Sequence, residues 1–385
     1  MKRIYLFLLL PLWVGCGGGD TLSVVSKRCL NIDVPAGYTL PDTGQRTCYD
    51  QSGDQISCPA STADAYGQDA QYSQGRDFIL CGHHKVFFDN QTGLYWVRGT
   101  QSRTTYEAAS TACDGLEIDQ LSNWRLPNLR ELSSLLDYSG TVDASSSGAP
   151  SNPFIIDNLA FSYDSSSDTT GDQTIQMMGQ SWTSTARPDL TSSHYTVNFL
   201  TGNIESDNTS DSTADAFYRC VQGTEQGMVS RYTSLGDGTS QDATTDLMWQ
   251  QTASNTRYSW QEALAYCEGL ELGGYTDWRL PNISELQSLV DYGNATVGLD
   301  TQYFGYSHDT GTLGYYWSGT TDEETPAYAF YVCFGPCSNA DSTADVMGPG
   351  AVRSGPKYDD GNLPTSIGAY QDYVQASNYV RCVRN

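Results

Sequence analysis

The sequence predicts an α+β protein made of two tandem domains behind an N-terminal extension. The first observation is a repeated phrase. NWRLPNLRELSSLLDYSG at 123–140 and DWRLPNISELQSLVDYGN at 277–294 agree at eleven of eighteen positions. The second observation is that leucines within both phrases recur at helical spacing. The third is that the segments around them alternate short apolar stretches with Gly, Ser and Asp turns, which is typical of short strands.

The repeat extends well beyond this phrase. Further landmarks recur in the same order: TGLYW and TDLMW, YEAASTACDGL and WQEALAYCEGL, SWTST and YWSGT, YTVNF and YAFYV, and YRCV and YVRCV. The sequence therefore predicts two homologous domains, 77–222 and 230–385, each with two short helices and small antiparallel sheets. Segment 16–76 has little periodic apolar character, so we expect an extension clipped by disulfides rather than a domain with its own core.

The first helix of the second repeat, within SWQEALAYCEGL, carries signals at both ends. Ser259 and Glu262 have the spacing of a capping box, in which each side chain bonds the other residue's backbone N–H. Gly269 follows the last apolar position, where a left-handed residue commonly ends a helix. The sequence therefore predicts a short amphipathic helix within this segment.

The second helix of each repeat begins after a proline. Asn128 and Asn282 are predicted N-caps, because an asparagine oxygen accepts a bond from a free N–H of the first turn. Glu131 and Glu285 lie three residues later, where each carboxylate can bond back to the cap. The repeated phrase therefore has a structural explanation at these positions.

The tryptophan and arginine of WRLPN complete the phrase. Trp124 and Trp278 are predicted apolar anchors in front of the helices. Arg125 and Arg279 each offer five N–H donors, which suit loop carbonyls or a carboxylate. The alternative is that arginine and glutamate form a catalytic pair. We favour the structural interpretation, because capping and packing explain every residue of the phrase.

The N-terminus predicts export and a lipid anchor. Lys2 and Arg3 precede an apolar run at 5–14 that is too short to span a bilayer comfortably as a helix. Cys16 follows within WVGC, which resembles the lipobox of bacterial lipoproteins. That resemblance implies a signal peptide over 1–15, lipid on Cys16 and, from the glycine that follows, the outer membrane. The alternative is an ordinary signal peptide with a free cysteine nearby.

The charge balance limits the possible partners. The formal net charge is −25, and removal of the signal peptide makes it about −27. Such a field repels nucleic acid and anionic membrane surfaces, so we expect membrane contact only through the lipid. Acidic clusters at 164–172, 206–215, 321–325, 341–345 and 358–362 could bind Ca²⁺, but none has the spacing of an EF-hand loop. Solvated loops are the alternative that we favour.

The cysteine count also fits an exported protein. Ten cysteines remain after Cys16, and even counts in exported chains usually mean disulfides. Equivalent repeat positions, short spacing and subtraction together predict Cys113–Cys220, Cys267–Cys382, Cys48–Cys58, Cys333–Cys337 and Cys29–Cys81. The alternative is that some cysteines are free, above all Cys333 and Cys337. His83 and His84 have no further ligands at metal spacing and are expected to be a surface pair.

The order of these motifs resembles the C-terminal domain family of Lcl-type bacterial collagen-like adhesins. The resemblance covers about 43–385 and includes the TG-L-W strand, the CxGL helix end, WRLPNxxEL, YWS-T and the terminal RCVR. It implies a C-type-lectin-like fold whose termini pair. It also implies glycan binding, including sulfated glycans, and attachment, without catalysis. This chain lacks a collagen-like Gly-X-Y stalk.

The sequence-based prediction is an exported surface lipoprotein that binds glycans or surface proteins through loops. The predicted ligand-binding residues are Tyr315, Tyr316, Asp322 and Glu323, which lie near the long loops of the second repeat. One alternative is a structural envelope component that binds protein partners. Another is a thiol-dependent enzyme related to formylglycine-generating enzymes, which would use Cys333 and Cys337 as free thiols.

Overall fold

The protein is described here from a computed structural model. The structure describes residues 39–81, 85–99, 101–118, 120–141, 179–210, 214–227, 231–309, 313–337, 347–363, 366–367 and 372–385. Outside these residues lie Cys16, Cys29, His83 and His84. The acidic clusters at 164–172 and 341–345 also lie outside them, as do residues 211–213 of the cluster at 206–215. None of the helices in the described part is long and apolar enough to cross a bilayer.

The regular elements follow the repeat. In the extension, β1 (Cys48–Tyr49) pairs with β2 (Gln55–Ile56), and a 3-10 helix spans Asp69–Gln71. The first domain contains β3 (Phe78–Leu80), β4 (Val86–Asp89), β5 (Leu94–Val97), β6 (Gln101–Thr104), α1 (Tyr106–Asp114), α2 (Leu129–Ser133), β7 (Gln180–Ala186), β8 (Ser193–Asn198), β9 (Ile204–Asn208), β10 (Ala216–Tyr218) and β11 (Val221–Gln222). The second contains β12 (Tyr232–Ser234), β13 (Thr239–Asp242), β14 (Met248–Gln250), α3 (Trp260–Glu268), α4 (Ile283–Ser288), β15 (Tyr315–Thr321), β16 (Tyr328–Cys333), β17 (Val352–Pro356), β18 (Ser366–Ile367), β19 (Asp372–Tyr373) and β20 (Val383–Arg384).

The two domains share one topology. In each, the last strand returns to pair with an early strand, β11 with β5 and β20 with β14, so that entry and exit of the domain lie side by side. Equivalent antiparallel bridges join Arg125 to Val221 and Arg279 to Val383. In each domain three consecutive strands after the second helix form an antiparallel meander, β7-β8-β9 and β15-β16-β17. The predicted short helices and small antiparallel sheets are present in both halves.

The meanders of the two domains join into one sheet, which the sequence does not predict. Val352 of β17 pairs with Ile204 of β9, and the resulting sheet has the order β15-β16-β17-β9-β8-β7-β10-β6. One pair within it, β10 with β7, is parallel. The domains are therefore continuous through main-chain hydrogen bonds rather than joined only by the linker QGTEQGMVS at 222–230.

The domains also share a hydrophobic core. Leu132 and Leu136 of the first domain belong to the same buried cluster as Leu286 and Leu289 of the second. Each fully buried leucine contributes roughly 1.5–3 kcal/mol relative to an exposed one. Each domain additionally keeps its own cluster around its long-range disulfide. The junction between the domains is thus part of a continuous hydrophobic core.

Both second helices begin as predicted. The side-chain oxygens of Asn128 and Asn282 accept bonds from the N–H groups of Glu131 and Glu285, and both capping boxes are complete. The capping box of α3 is also present. The prediction for Gly269 is wrong: its φ is −92°, and its N–H bonds the carbonyls of Ala265 and Cys267. The helix ends without a left-handed residue, because those bonds already satisfy its last carbonyls.

The extension is wedged between the domains. Asp69 accepts hydrogen bonds from Thr43 Oγ1 and from Thr320 Oγ1 of the second domain, both at 2.7 Å. Gln45 bonds the carbonyl of Tyr138 in the first domain and both backbone groups of Thr321 in the second. Residues of the extension therefore hold the junction together, in addition to the disulfides predicted for this segment.

The structure contains four of the five predicted disulfides: Cys48–Cys58, Cys113–Cys220, Cys267–Cys382 and Cys333–Cys337. Cys81 is disulfide-bonded, and its predicted partner Cys29 lies outside the described residues. The two long-range bridges occupy equivalent places and tie each first helix to the residue before the last strand. Cys333 and Cys337 are bonded to each other and buried.

Candidate ligand-binding cavity

The arginine and glutamate of WRLPN form a bidentate ion pair in both domains. Arg125 bonds both carboxylate oxygens of Glu131 at 2.7 Å, and Arg279 bonds both oxygens of Glu285 at 2.6 Å. Each glutamate also accepts the N–H of its own N-cap asparagine at 2.9 Å. The carboxylate therefore caps the helix and fixes the arginine, as the structural interpretation of the phrase predicts.

In the second domain this pair borders a cavity of 380 Å³. The extension forms one wall through residues 39–42, Tyr72 and Gln74, and Gln91 lies beside them. The opposite wall consists of residues 245–247, Arg279, Asn282, Glu285 and Asn385. Its volume is within the range of small-molecule and cofactor pockets, about 300–1,000 Å³.

Fixed charges surround the cavity. Burial alone would lower the pKa of Arg279, but the Glu285 carboxylate outweighs it and raises the net value. Burial acts to raise the pKa of Asp42, yet the N–H groups of Gly44, Gln74 and Gly75 bring it below its ordinary range. The Arg279 guanidinium and the Asp42 carboxylate therefore keep their charges at neutral pH.

An aromatic ring lies against the arginine. The Arg279 Cζ atom is 5.0 Å from the centre of the Tyr72 ring, within cation–π distance. The Tyr72 hydroxyl donates to Glu268 Oε1 at 2.9 Å, and burial raises the pKa of that hydroxyl. Arg279 is thus held on two sides, by the Glu285 carboxylate and by the ring, and its orientation toward the cavity is fixed.

The cavity also contains hydrogen-bonding groups that lack partners. The buried Oε1 of Gln91 accepts no bond from any described residue. The side-chain amide of Asn282 is half-buried, and among the described residues it has no acceptor. None of the described lining residues is a cysteine, histidine, serine or lysine. Such a lining offers hydrogen-bond donors and acceptors to a bound molecule.

The structure does not support the predicted tyrosine site. Tyr315 and Tyr316 are 1% and 0% exposed, because every residue of β15 is covered. The Tyr315 ring stacks on Tyr331 with centroids 5.2 Å apart, and the Tyr316 hydroxyl bonds the backbone of Ser307. The prediction that these rings meet a ligand is wrong for the folded chain, because both complete the core.

The predicted acidic site residues lie elsewhere as well. Asp322 is buried and accepts the hydroxyl of Ser354 at 2.6 Å, and burial raises its pKa to about 6. Burial, followed by the nearby Asp137 carboxylate, raises the pKa of Glu323 to about 7. Neither residue lines the cavity. Within the described residues, no group of three or more His, Cys, Asp or Glu side chains is arranged to hold a metal ion.

Sequence reasoning missed several cavity residues. Asp42, Gln91 and Asn385 were not candidates, and Asn282 was interpreted only as a cap. The repeat alone does not distinguish Asn282 from Asn128, since both follow WRLP. One signal in the sequence could have identified Asn385. Alignment of the C-terminal landmarks YRCV and YVRCV places Asn385 opposite Gly223, two residues after the matched valines, so the side chain of Asn385 has no counterpart in the first domain.

The paired topology, the repeated capping boxes and the equivalent disulfides define a tandem two-domain protein. The Lcl C-terminal domain family matches twice, over residues 85–222 and 238–384. These matches together cover more than half of the chain, and the protein belongs to this family. No curated protein and no solved structure matched the chain.

Proposed function

We propose that this chain is an exported binding and adhesion module of the bacterial cell surface. The lipobox-like sequence before Cys16 supports a lipid anchor in the outer membrane, and membership of the Lcl C-terminal domain family supports attachment as the role. Its partners are glycans or surface proteins. The paired termini and two helices per domain support a C-type-lectin-like fold for each half.

The cavity beside Arg279 is the observation that carries this proposal. It combines a fixed guanidinium, three carboxylates (Asp42, Asp246 and Glu285) and the unpartnered groups of Asn282 and Gln91. A concave site with a few convergent polar groups is the usual form of a recognition site. The net charge of −25 disfavours densely sulfated glycans, because like charges repel during approach.

The enzyme alternative has less support. A thiol oxidase needs an accessible thiolate, and Cys333 and Cys337 are joined to each other and buried. The bidentate Arg279–Glu285 pair uses both carboxylate oxygens for its arginine and one of them also for the helix cap. That carboxylate is therefore poorly placed to act as a general base.

The test is a screen of the mature chain against a glycan array and a panel of extracellular and envelope proteins. We expect saturable binding to at least one partner, weakened by substitution within the cavity. A control variant carries the equivalent substitution in the first domain. Absence of saturable binding across both panels would contradict the adhesion role.

A further inference from the structure

The first domain shows what its own chain places at the position of the cavity. After Gly223 the linker turns back over WRLPN, and three hydrogen bonds hold Gln226. Its N–H donates to Glu131 Oε1 at 2.9 Å, and its carbonyl accepts from Asn128 Nδ2 at 2.9 Å. Its side-chain amide donates to the carbonyl of Thr92 at 3.1 Å. Asn128 is 3% exposed as a result.

The second domain carries the same three binding groups. Glu131, Asn128 and Thr92 correspond to Glu285, Asn282 and Thr245, which all line the cavity. Glu285 Oε1 accepts from Arg279, but no described residue supplies the second donor that Gln226 N–H supplies in the first domain. The Asn282 amide likewise lacks the acceptor that the Gln226 carbonyl provides.

We infer that the cavity of the second domain binds an extended peptide segment containing a glutamine, from a partner protein. The glutamine would repeat the contacts of Gln226. Its main-chain N–H would donate to the Glu285 carboxylate, and its main-chain carbonyl would accept from the Asn282 amide. Its side-chain amide would donate to the main-chain carbonyl of Thr245. This inference rests on the proposed binding function, and it specifies the class of ligand that the cavity would bind. The linker of a second copy is not the occupant, because residues 223–227 are already held within their own domain.

An acidic residue before the glutamine fits the same pattern. Glu225 Oε1 lies 3.4 Å from Asn128 Nδ2 in the first domain. In the second domain the equivalent Asn282 amide and the Arg279 guanidinium border an open space. A glycan could bond Asn282 and Glu285 through hydroxyls or an acetamido group, but the contacts of Gln226 combine a main-chain N–H, a main-chain carbonyl and a side-chain amide of one residue, which a peptide reproduces directly.

The probe is the capped peptide acetyl-Gly-Thr-Glu-Gln-Gly-amide, which copies residues 223–227. Its binding to the mature chain is measured by saturation-transfer difference NMR up to millimolar concentration. We expect saturable binding. Asn282→Asp removes the amide donor but keeps the oxygen that caps the helix, and it should weaken binding by about tenfold or more. The matched variant Asn128→Asp should bind the peptide as tightly as the unaltered chain.

A second pair of measurements does not depend on any protein variant. The same peptide methylated on the glutamine main-chain nitrogen loses the N–H donor to Glu285, and should bind about tenfold more weakly or worse. Replacement of that glutamine by leucine should also weaken binding. The inference is overturned if the unaltered peptide shows no saturable binding, or if Asn282→Asp and N-methylation leave its affinity unchanged.

The two proposals fail in different ways. A partner found in the screen together with no peptide binding would overturn the inference and leave the adhesion role standing. Peptide binding with the predicted variant pattern and no partner in the screen would support the inference and contradict the adhesion role.

Discussion

Replacing Asp69 by asparagine should stabilise the protein at alkaline pH and have a much smaller effect in mild acid. Asp69 is buried at the junction of the extension with the second domain, where it accepts two threonine hydroxyls. Burial raises its pKa to about 7, and the hydroxyls of Thr43 and Thr320 offset this only in part. Asparagine has nearly the same shape, keeps an acceptor oxygen and carries no charge.

The size of the effect follows from the pKa. Between its ordinary pKa of 3.8 and about 7, Asp69 binds a proton more tightly in the folded chain than in the unfolded chain. The stability contributed by the neutral carboxyl is therefore complete below pH 3.8 and is lost as the pH rises through 7. The gap between the two values corresponds to roughly 4 kcal/mol at about 1.4 kcal/mol per pH unit.

Calorimetric melting of both proteins from pH 4.5 to 8.5 measures this directly. The difference in Tm should be smallest at pH 4.5, where roughly 1 kcal/mol of the effect is present, and should favour Asp69→Asn by several degrees at pH 8.5. Asp42→Asn is the control with the opposite sign, because the pKa of Asp42 is lowered and its charged form stabilises the fold at high pH. A Tm difference that is the same at every pH, or that favours aspartate at pH 8.5, would refute the reasoning.

Three further predictions concern the ion pairs, the anchor and the disulfides. Arg279→Met should lower the free energy of unfolding in urea by about 3–5 kcal/mol, because it leaves the Glu285 carboxylate buried without its ion-pair partner. Arg125→Met should lower it by less, because the Arg125 side chain is 24% exposed and that of Arg279 only 9%. Cys16→Ser should release the protein from membranes, and retention in high salt would count against lipid. Loss of Cys267–Cys382 should cost up to about 4–5 kcal/mol, and peptide mapping that links Cys267 elsewhere would contradict the scheme.

Local chemistry and repetition made much of the fold predictable. A capping box is specified by residues three positions apart, so Asn282 and Glu285 could be assigned without tertiary information. Equivalent cysteines at the end of each first helix and before each last strand gave the long-range disulfides. These features depend on short spacing or on the internal repeat, and the sequence contains both.

Pairing between distant strand edges was not predictable. Val352 and Ile204 lie in different domains, and alternation of apolar residues does not identify which edge meets which. The consequence extends to the site prediction. Tyr315 and Tyr316 were predicted to bind a ligand because they lie near a long loop in the sequence. The strand that contains them is fully covered in the fold, so both side chains belong to the core.

The cavity could not be predicted from the sequence for a related reason. Asn128 and Asn282 have the same neighbours in sequence, and only the linker's return over the first domain makes their surroundings differ. That difference is tertiary, so a sequence comparison presents both residues as caps. The structure separates the role of the asparagine oxygen, which caps the helix in both domains, from that of the amide, which is unpartnered only in the second.

The central claim is that the protein recognises its partner at the cavity of the second domain. Hydrogen–deuterium exchange of the mature chain, with and without the tightest partner from the screen, tests it most directly. We predict slower exchange on binding at 245–247 and 282–285, with no change at the equivalent positions 92–94 and 128–131. Protection confined to other surfaces, such as the loop at 321–325, would contradict the claim.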